Sequence, residues 1–95
     1  MNSKSVVYRV HALQRMFERH INEVDVEEVL ARGEVIEEYS EDIPYPSSLV
    51  LGFVRSRPIH VVVAENEEGR ERIVITVYEP GKERWDDGFR KRRTR

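Results

Sequence analysis

A chain of 95 residues can bury one hydrophobic core and is too short for two domains of ordinary size. With 39% hydrophobic and 36% charged side chains it is polar but too rich in Val, Ile and Leu to stay disordered, and its zero cysteines exclude a disulfide scaffold, a thiolate metal site and a cysteine nucleophile. The net charge of −2 joins two unlike parts: the last six residues, RKRRTR, hold five of the 16 basic side chains and none of the 18 acidic ones, so residues 1–89 carry 11 − 18 = −7 and the tail +5.

The N-terminus MNSKSVVYRV lacks the apolar core of a signal peptide and no apolar run reaches the ~20 residues of a membrane span, so a soluble cytoplasmic protein with no membrane association is expected. The run VVYRV (6–10) predicts a short first strand. Leu13, Met16 and Phe17 then recur at helical spacing in HALQRMFERH, which predicts a first helix ending near His20 with those three residues on its buried side. NEVDVEEVLARG predicts a second helix. Asn22 is its N-cap with Asp25 three residues on, Val26, Val29 and Leu30 form its apolar stripe, and Gly33 ends it.

Beyond Gly33 the period turns extended. EVIEEY (34–39), SLVLGFV (48–54), IHVVVA (59–64) and RIVITVY (72–78) predict four strands, with SEDIPYPS as a loop and RSRP and ENEEGRE as hairpin turns. The expected architecture is α+β: two N-terminal helices packed on one face of a twisted antiparallel sheet of four to five strands. Residues 1–85 form the single domain, with GKERWDDGF a loose excursion anchored by Trp85. Residues 86–95 read as a flexible basic tail that marks nucleic acid, an acidic partner or simply a solvated end.

Two groups of side chains carry chemical potential. On the first helix His11, Arg15, Glu18 and Arg19 lie away from Leu13, Met16 and Phe17, with His11 and Arg15 stacked at i and i+4; a merely solvated face has the same pattern. His20, at the helix end, reads as structural or capping at least as readily as chemical. On the sheet, alternation puts His60 with Val62 and Ala64, and Arg72 with Val74, Thr76 and Tyr78. A hairpin register with Ala64 opposite Arg72 sets His60 across from Thr76, with Tyr78 one step along; a one-residue slip dissolves the group. Such a face suits a nucleotide, with Tyr stacking on a base, Arg on a phosphate and His moving a proton, and it equally suits a solvent-facing antiparallel sheet. No third ligand accompanies the histidines at a metal-site spacing, and no Gly-rich phosphate loop, G-x-S-x-G or H-E-x-x-H is present, so neither a metal nor a cofactor is expected.

The pieces HALQRM, GEVIE, RPIHVV and ITVYEP, in this order over about residues 8–85, resemble a widespread bacterial family of small proteins classed as a domain of unknown function. That family is similar to the BrnT and RelE/ParE toxins, and its members are often encoded beside a zinc-finger antitoxin of the MqsA type. The resemblance implies a RelE-like fold, an antitoxin partner, and a metal-independent endoribonuclease acting on mRNA. Its recurring polar residues fall on His11, Arg15, His60, Thr76 and Tyr78.

In such a site a ribose 2′-hydroxyl attacks the adjacent phosphate and the 5′-oxygen departs, which takes a base, an acid and positive charge on the phosphate. Arg15 is assigned to the phosphate with Arg19 or Arg72 assisting, His11 and His60 to proton transfer, Tyr78 to stacking or proton donation, and Thr76 to orienting His60. The scheme requires His60 and Arg15 to converge on one cleft, and the acidic body is a departure from what an RNA cleaver needs. Two other readings stand beside it: a non-catalytic partner-binding or regulatory module of the same fold, and a homodimer that covers an exposed strand edge.

Overall fold

The computed structural model describes residues 4–94. In chain order the elements are β1 (Ser5–Tyr8), α1 (Val10–Arg19), α2 (Glu23–Arg32), β2 (Glu34–Tyr39), β3 (Ser47–Val54), β4 (Arg57–Asn66) and β5 (Glu71–Tyr78). The five strands form one sheet in the order β1-β5-β4-β3-β2. The last three strands are the expected antiparallel meander. The sheet as a whole is mixed, however, because β1 lies parallel to β5, from Ser5 opposite Glu71 to Tyr8 opposite Val74. The helices therefore sit between β1 and β2 and do not start the chain.

Sequence chemistry explains the second helix directly. The Asn22 side chain accepts from the Asp25 backbone N–H at 2.8 Å and the Asp25 carboxylate accepts from the Asn22 N–H at 3.1 Å, a reciprocal capping box. Val26 and Val29 are buried, and Leu30 packs against the core beside them. At Gly33 a Cβ would stand 2.4 Å from the Val29 carbonyl oxygen and 2.6 Å from that of Leu51, so only glycine lets the chain leave α2 this close to β3.

The first helix buries a different stripe from the one expected. Ala12 and Met16 are inside, while Leu13 is 42% and Phe17 84% exposed. Spacing alone identified an apolar side; docking chose the flank centred on the small Ala12, which lets α1 approach the sheet. The helix ends where His20 takes a left-handed conformation (φ 58°, ψ 44°), and Arg57 of β4 donates to the carbonyls of Arg19 and His20 while its Nε lies 2.9 Å from Glu79. Arg57 thus fixes the end of α1 beside the end of β5 by filling carbonyls that a helix C-terminus leaves open.

Both helices cover one face of the sheet, in a core with Val50, Ile59, Val61, Val63, Val74 and Val77. The β3–β4 turn places Arg55 and Ser56 both at positive φ (52° and 67°), the geometry of a type I′ hairpin. Register between β4 and β5 departs from the expectation. His60 pairs with Tyr78 and Val62 with Thr76, but Val63 pairs with Val74, so Ile75 is the extra residue of a β-bulge. The bulge reverses the alternation along β5: Val74 and Val77 face the helices, and Ile73 lies opposite Ala64 on the other side.

The second face is covered at its His60 end by the C-terminal segment. Trp85 is 3% exposed, and it forms an isolated antiparallel bridge with Arg92. Arg93 N–H donates to the Arg84 carbonyl at 2.8 Å and Asp86 N–H to that of Lys91 at 2.9 Å. Arg90 pairs with Glu34 at 2.8 Å and Arg92 with Glu37 at 3.0 Å, both acids on β2. The charge asymmetry of the sequence is here satisfied internally: the stretch read as a solvated basic tail docks on an acidic edge strand. Arg95 lies outside the described residues.

Candidate functional site

Because β1 reaches only to Val74, residues Ile75–Tyr78 of β5 have no strand on that side, and α1 runs past them. His11 is exposed, and its Nε2 lies 3.1 Å from Thr76 Oγ1. Arg15, one helical turn on and on the same flank, is exposed and pairs loosely with Glu18 at 3.3 Å. At the far end of α1, Arg19 and Tyr78 line a cleft of about 390 Å³ together with Glu79, Arg84, Trp85 and Arg92. Five of the seven nominated residues, His11, Arg15, Arg19, Thr76 and Tyr78, therefore lie along one seam between α1 and the free half of β5.

Arg72 stands apart from them, and His60 touches the group only at Tyr78. His60 has no exposed surface; it sits on the sheet face opposite the helices, with the Trp85 ring 4.5 Å away at 89° and the Tyr78 ring 5.2 Å away at 68°. Its Nε2 lies 2.9 Å from the Phe89 carbonyl oxygen, which can only accept, so Nε2–H donates there and Nδ1 accepts from the Tyr78 hydroxyl at 3.1 Å. Burial lowers the His60 pKa from its ordinary value and raises that of Tyr78. Both ring nitrogens are engaged, and Arg15 belongs to a helix packed against the other face, so His60 and Arg15 do not converge on one cleft, and the expected scheme with two histidines sharing the proton transfers does not stand. His60 instead holds the hydroxyl of Tyr78. Thr76 pairs with Val62 and contacts His11, not His60. Arg72 pairs in register with Glu65 at the far end of β5, and its Nε lies 3.1 Å from that carboxylate.

Around the cleft, charge is partly committed. Arg92 contacts both carboxylate oxygens of Glu37, at 3.0 and 3.1 Å, and lies 4.6 Å over the Trp85 ring. The Arg92 hydrogen bonds hold Glu37 below the usual carboxylate range. Among the described residues neither Arg19 nor Arg84 has a carboxylate partner. Sequence reasoning passed over Arg84 and Arg92 as site residues; the signal available was the lone Trp85 set among arginines in an otherwise polar stretch. Among the described residues no group of three His, Asp or Glu side chains is placed to hold a metal ion. Among the described residues no helix is long and apolar enough to cross a membrane.

The seam offers one imidazole oriented by a hydroxyl, with guanidinium groups beside it and a phenol at its end. That set can take up a proton, hold an anion and present an aromatic surface. Comparison with known proteins gives one finding: the profile of a family described as a domain of unknown function (DUF4258) matches residues 8–79, so the chain belongs to that family. No curated protein and no solved structure matches the chain.

Proposed function

We propose that this member of the DUF4258 family is a toxin of a type II toxin–antitoxin system, a relative of the BrnT and RelE/ParE toxins, and cleaves mRNA in the cytoplasm as a metal-independent endoribonuclease. The observation that carries the reading is the 3.1 Å contact between His11 Nε2 and Thr76 Oγ1, on an exposed seam that also holds Arg15 and Arg19. Thr76 orients the imidazole, and His11 takes the proton of a ribose 2′-hydroxyl as it attacks phosphorus. Arg15 and Arg19 meet the charge that builds on the phosphate. The one Tyr78 hydroxyl proton is committed to His60 Nδ1, so Tyr78 offers its ring to a base and the departing 5′-oxygen takes its proton from water. His60 has no step of its own; it positions Tyr78.

A non-catalytic, partner-binding protein is the second reading. It is favoured by Val10, Leu13 and Phe17, a stripe on α1 that is 70%, 42% and 84% exposed and suits a protein partner such as an MqsA-like antitoxin. Expression in a bacterial host separates the two. The nuclease reading expects growth arrest and loss of full-length mRNA, both relieved by His11→Ala or Arg15→Ala at unchanged protein level. Healthy growth with intact message at high expression of the wild type would favour the binding module.

A further inference from the structure

We infer that residues 84–94 give this chain a second RNA contact, a cationic trough that takes the phosphate backbone of single-stranded RNA where it leaves the α1/β5 seam. The cleft of about 390 Å³ that holds Arg19 and Tyr78 shares Arg84 and Arg92 with a second cleft of about 490 Å³, which adds Arg93 and Thr94. Four guanidinium groups thus line a continuous surface against two carboxylates, Glu79 and Glu83, and Glu79 is already held by Arg57 at 2.9 Å.

The arginines divide by role. Arg92 is locked between Glu37 and the Trp85 ring, and Arg93 is tied to Asp87 at 3.1 Å. Arg84 is the available one: its backbone is fixed by bonds to Gly81 at 3.3 Å and from Arg93 at 2.8 Å, its side chain is exposed, and it has no carboxylate partner among the described residues. A fixed backbone bearing a free planar fork is suited to phosphate oxygens. Arg84, Arg92 and Arg93 lie beyond residues 8–79, the stretch that matches the family. RNA is favoured over an acidic protein because the trough opens directly into the cleft lined by Arg19 and Tyr78, and a strand held at the seam continues into it. The choice of RNA rests on the function proposed above.

The test is fluorescence anisotropy with a short labelled 2′-O-methyl oligoribonucleotide, which attack by a 2′-hydroxyl cannot cleave; unmodified RNA of the same sequence is assayed separately for cleavage. Arg84→Gln should weaken binding about tenfold at low salt and lower the slope of log K against log salt by about 0.7. Lys91→Gln removes the same charge from the same segment but lines neither cleft, and it should change affinity less than about twofold. Wild-type protein that fails to bind, equal losses in the two variants, or preferential binding of poly-glutamate would each overturn the trough. Arg84-dependent binding without cleavage upholds the trough and refutes the proposed reaction. Cleavage with Arg84-independent binding does the reverse.

Discussion

Replacing His60 by alanine separates a structural histidine from a catalytic one. The substitution removes both ring nitrogens from a site with no solvent contact and leaves the Phe89 carbonyl, formerly 2.9 Å away, and the Tyr78 hydroxyl, formerly 3.1 Å away, without partners. Each stranded buried group costs about 1–3 kcal/mol, and loss of the imidazole packing against Trp85 and Tyr78 adds about 1 kcal/mol. The expected total is about 3–7 kcal/mol, a large part of the ~5–15 kcal/mol that a domain has. Urea unfolding followed by Trp85 fluorescence, on the only tryptophan of the chain, reads this directly. Trp85→Ala, followed by far-UV circular dichroism because it removes the only tryptophan, should cost a similar amount, and the double variant much less than the sum, because both changes dismantle one assembly. A His60→Ala protein that keeps its stability within 1 kcal/mol yet loses RNA cleavage would refute the reasoning and make His60 a reacting group.

The same assembly sets a pH dependence. Burial depresses the His60 pKa below its ordinary 6.5, so the unfolded chain binds the proton more readily; the stability His60 confers is complete above about pH 6.5 and declines as pH falls below it. Glu37, depressed from 4.5 chiefly by its Arg92 hydrogen bonds, contributes stability that is lost only below about pH 4.5. Unfolding midpoints measured from about pH 8 to about pH 2 should therefore start to fall near pH 6.5, and Arg92→Ala should blunt the lower step. Thr76→Val should cut cleavage about tenfold with unchanged stability, and Thr76→Ser should restore it, since only a hydroxyl can orient His11; equal rates in Val and Ser variants would remove Thr76 from the site. Gly52→Ala should destabilise by about 1–3 kcal/mol in thermal unfolding, because its Cβ would stand 2.9 Å from Val29 Cγ2 and 3.1 Å from Val29 Cα on α2.

Local chemistry made much of this fold legible. The Asn22–Asp25 box, the Val26 and Val29 stripe and the Gly33 stop are all short-range features, and the helix they define matches the sequence expectation. The three-strand meander followed from β-branched runs separated by turn residues. What escaped was set by long-range pairing. The parallel docking of β1 on β5 joins residues 66 positions apart and leaves no local mark, and the Ile75 bulge shifts faces in a strand where every residue from Ile73 to Val77 is apolar or Thr.

The grouping of the candidate side chains was legible to the same degree. Helical spacing grouped His11, Arg15 and Arg19, which depends on nothing outside α1. Assigning His60 to them required knowing which face of the sheet met the helices, and alternation does not say. The C-terminal segment was the largest departure: RKRRTR reads as solvated charge until Glu34 and Glu37 of β2 are placed beneath Arg90 and Arg92.

The central claim is that His11 on the α1/β5 seam performs a 2′-hydroxyl transesterification. Its most direct test is end-group analysis by mass spectrometry of RNA incubated with purified protein in the presence of a chelator. The account predicts 2′,3′-cyclic phosphate and 5′-hydroxyl ends from the wild type and none from a folded His11→Ala variant. Intact RNA with the wild type, or the same ends from His11→Ala, would contradict it.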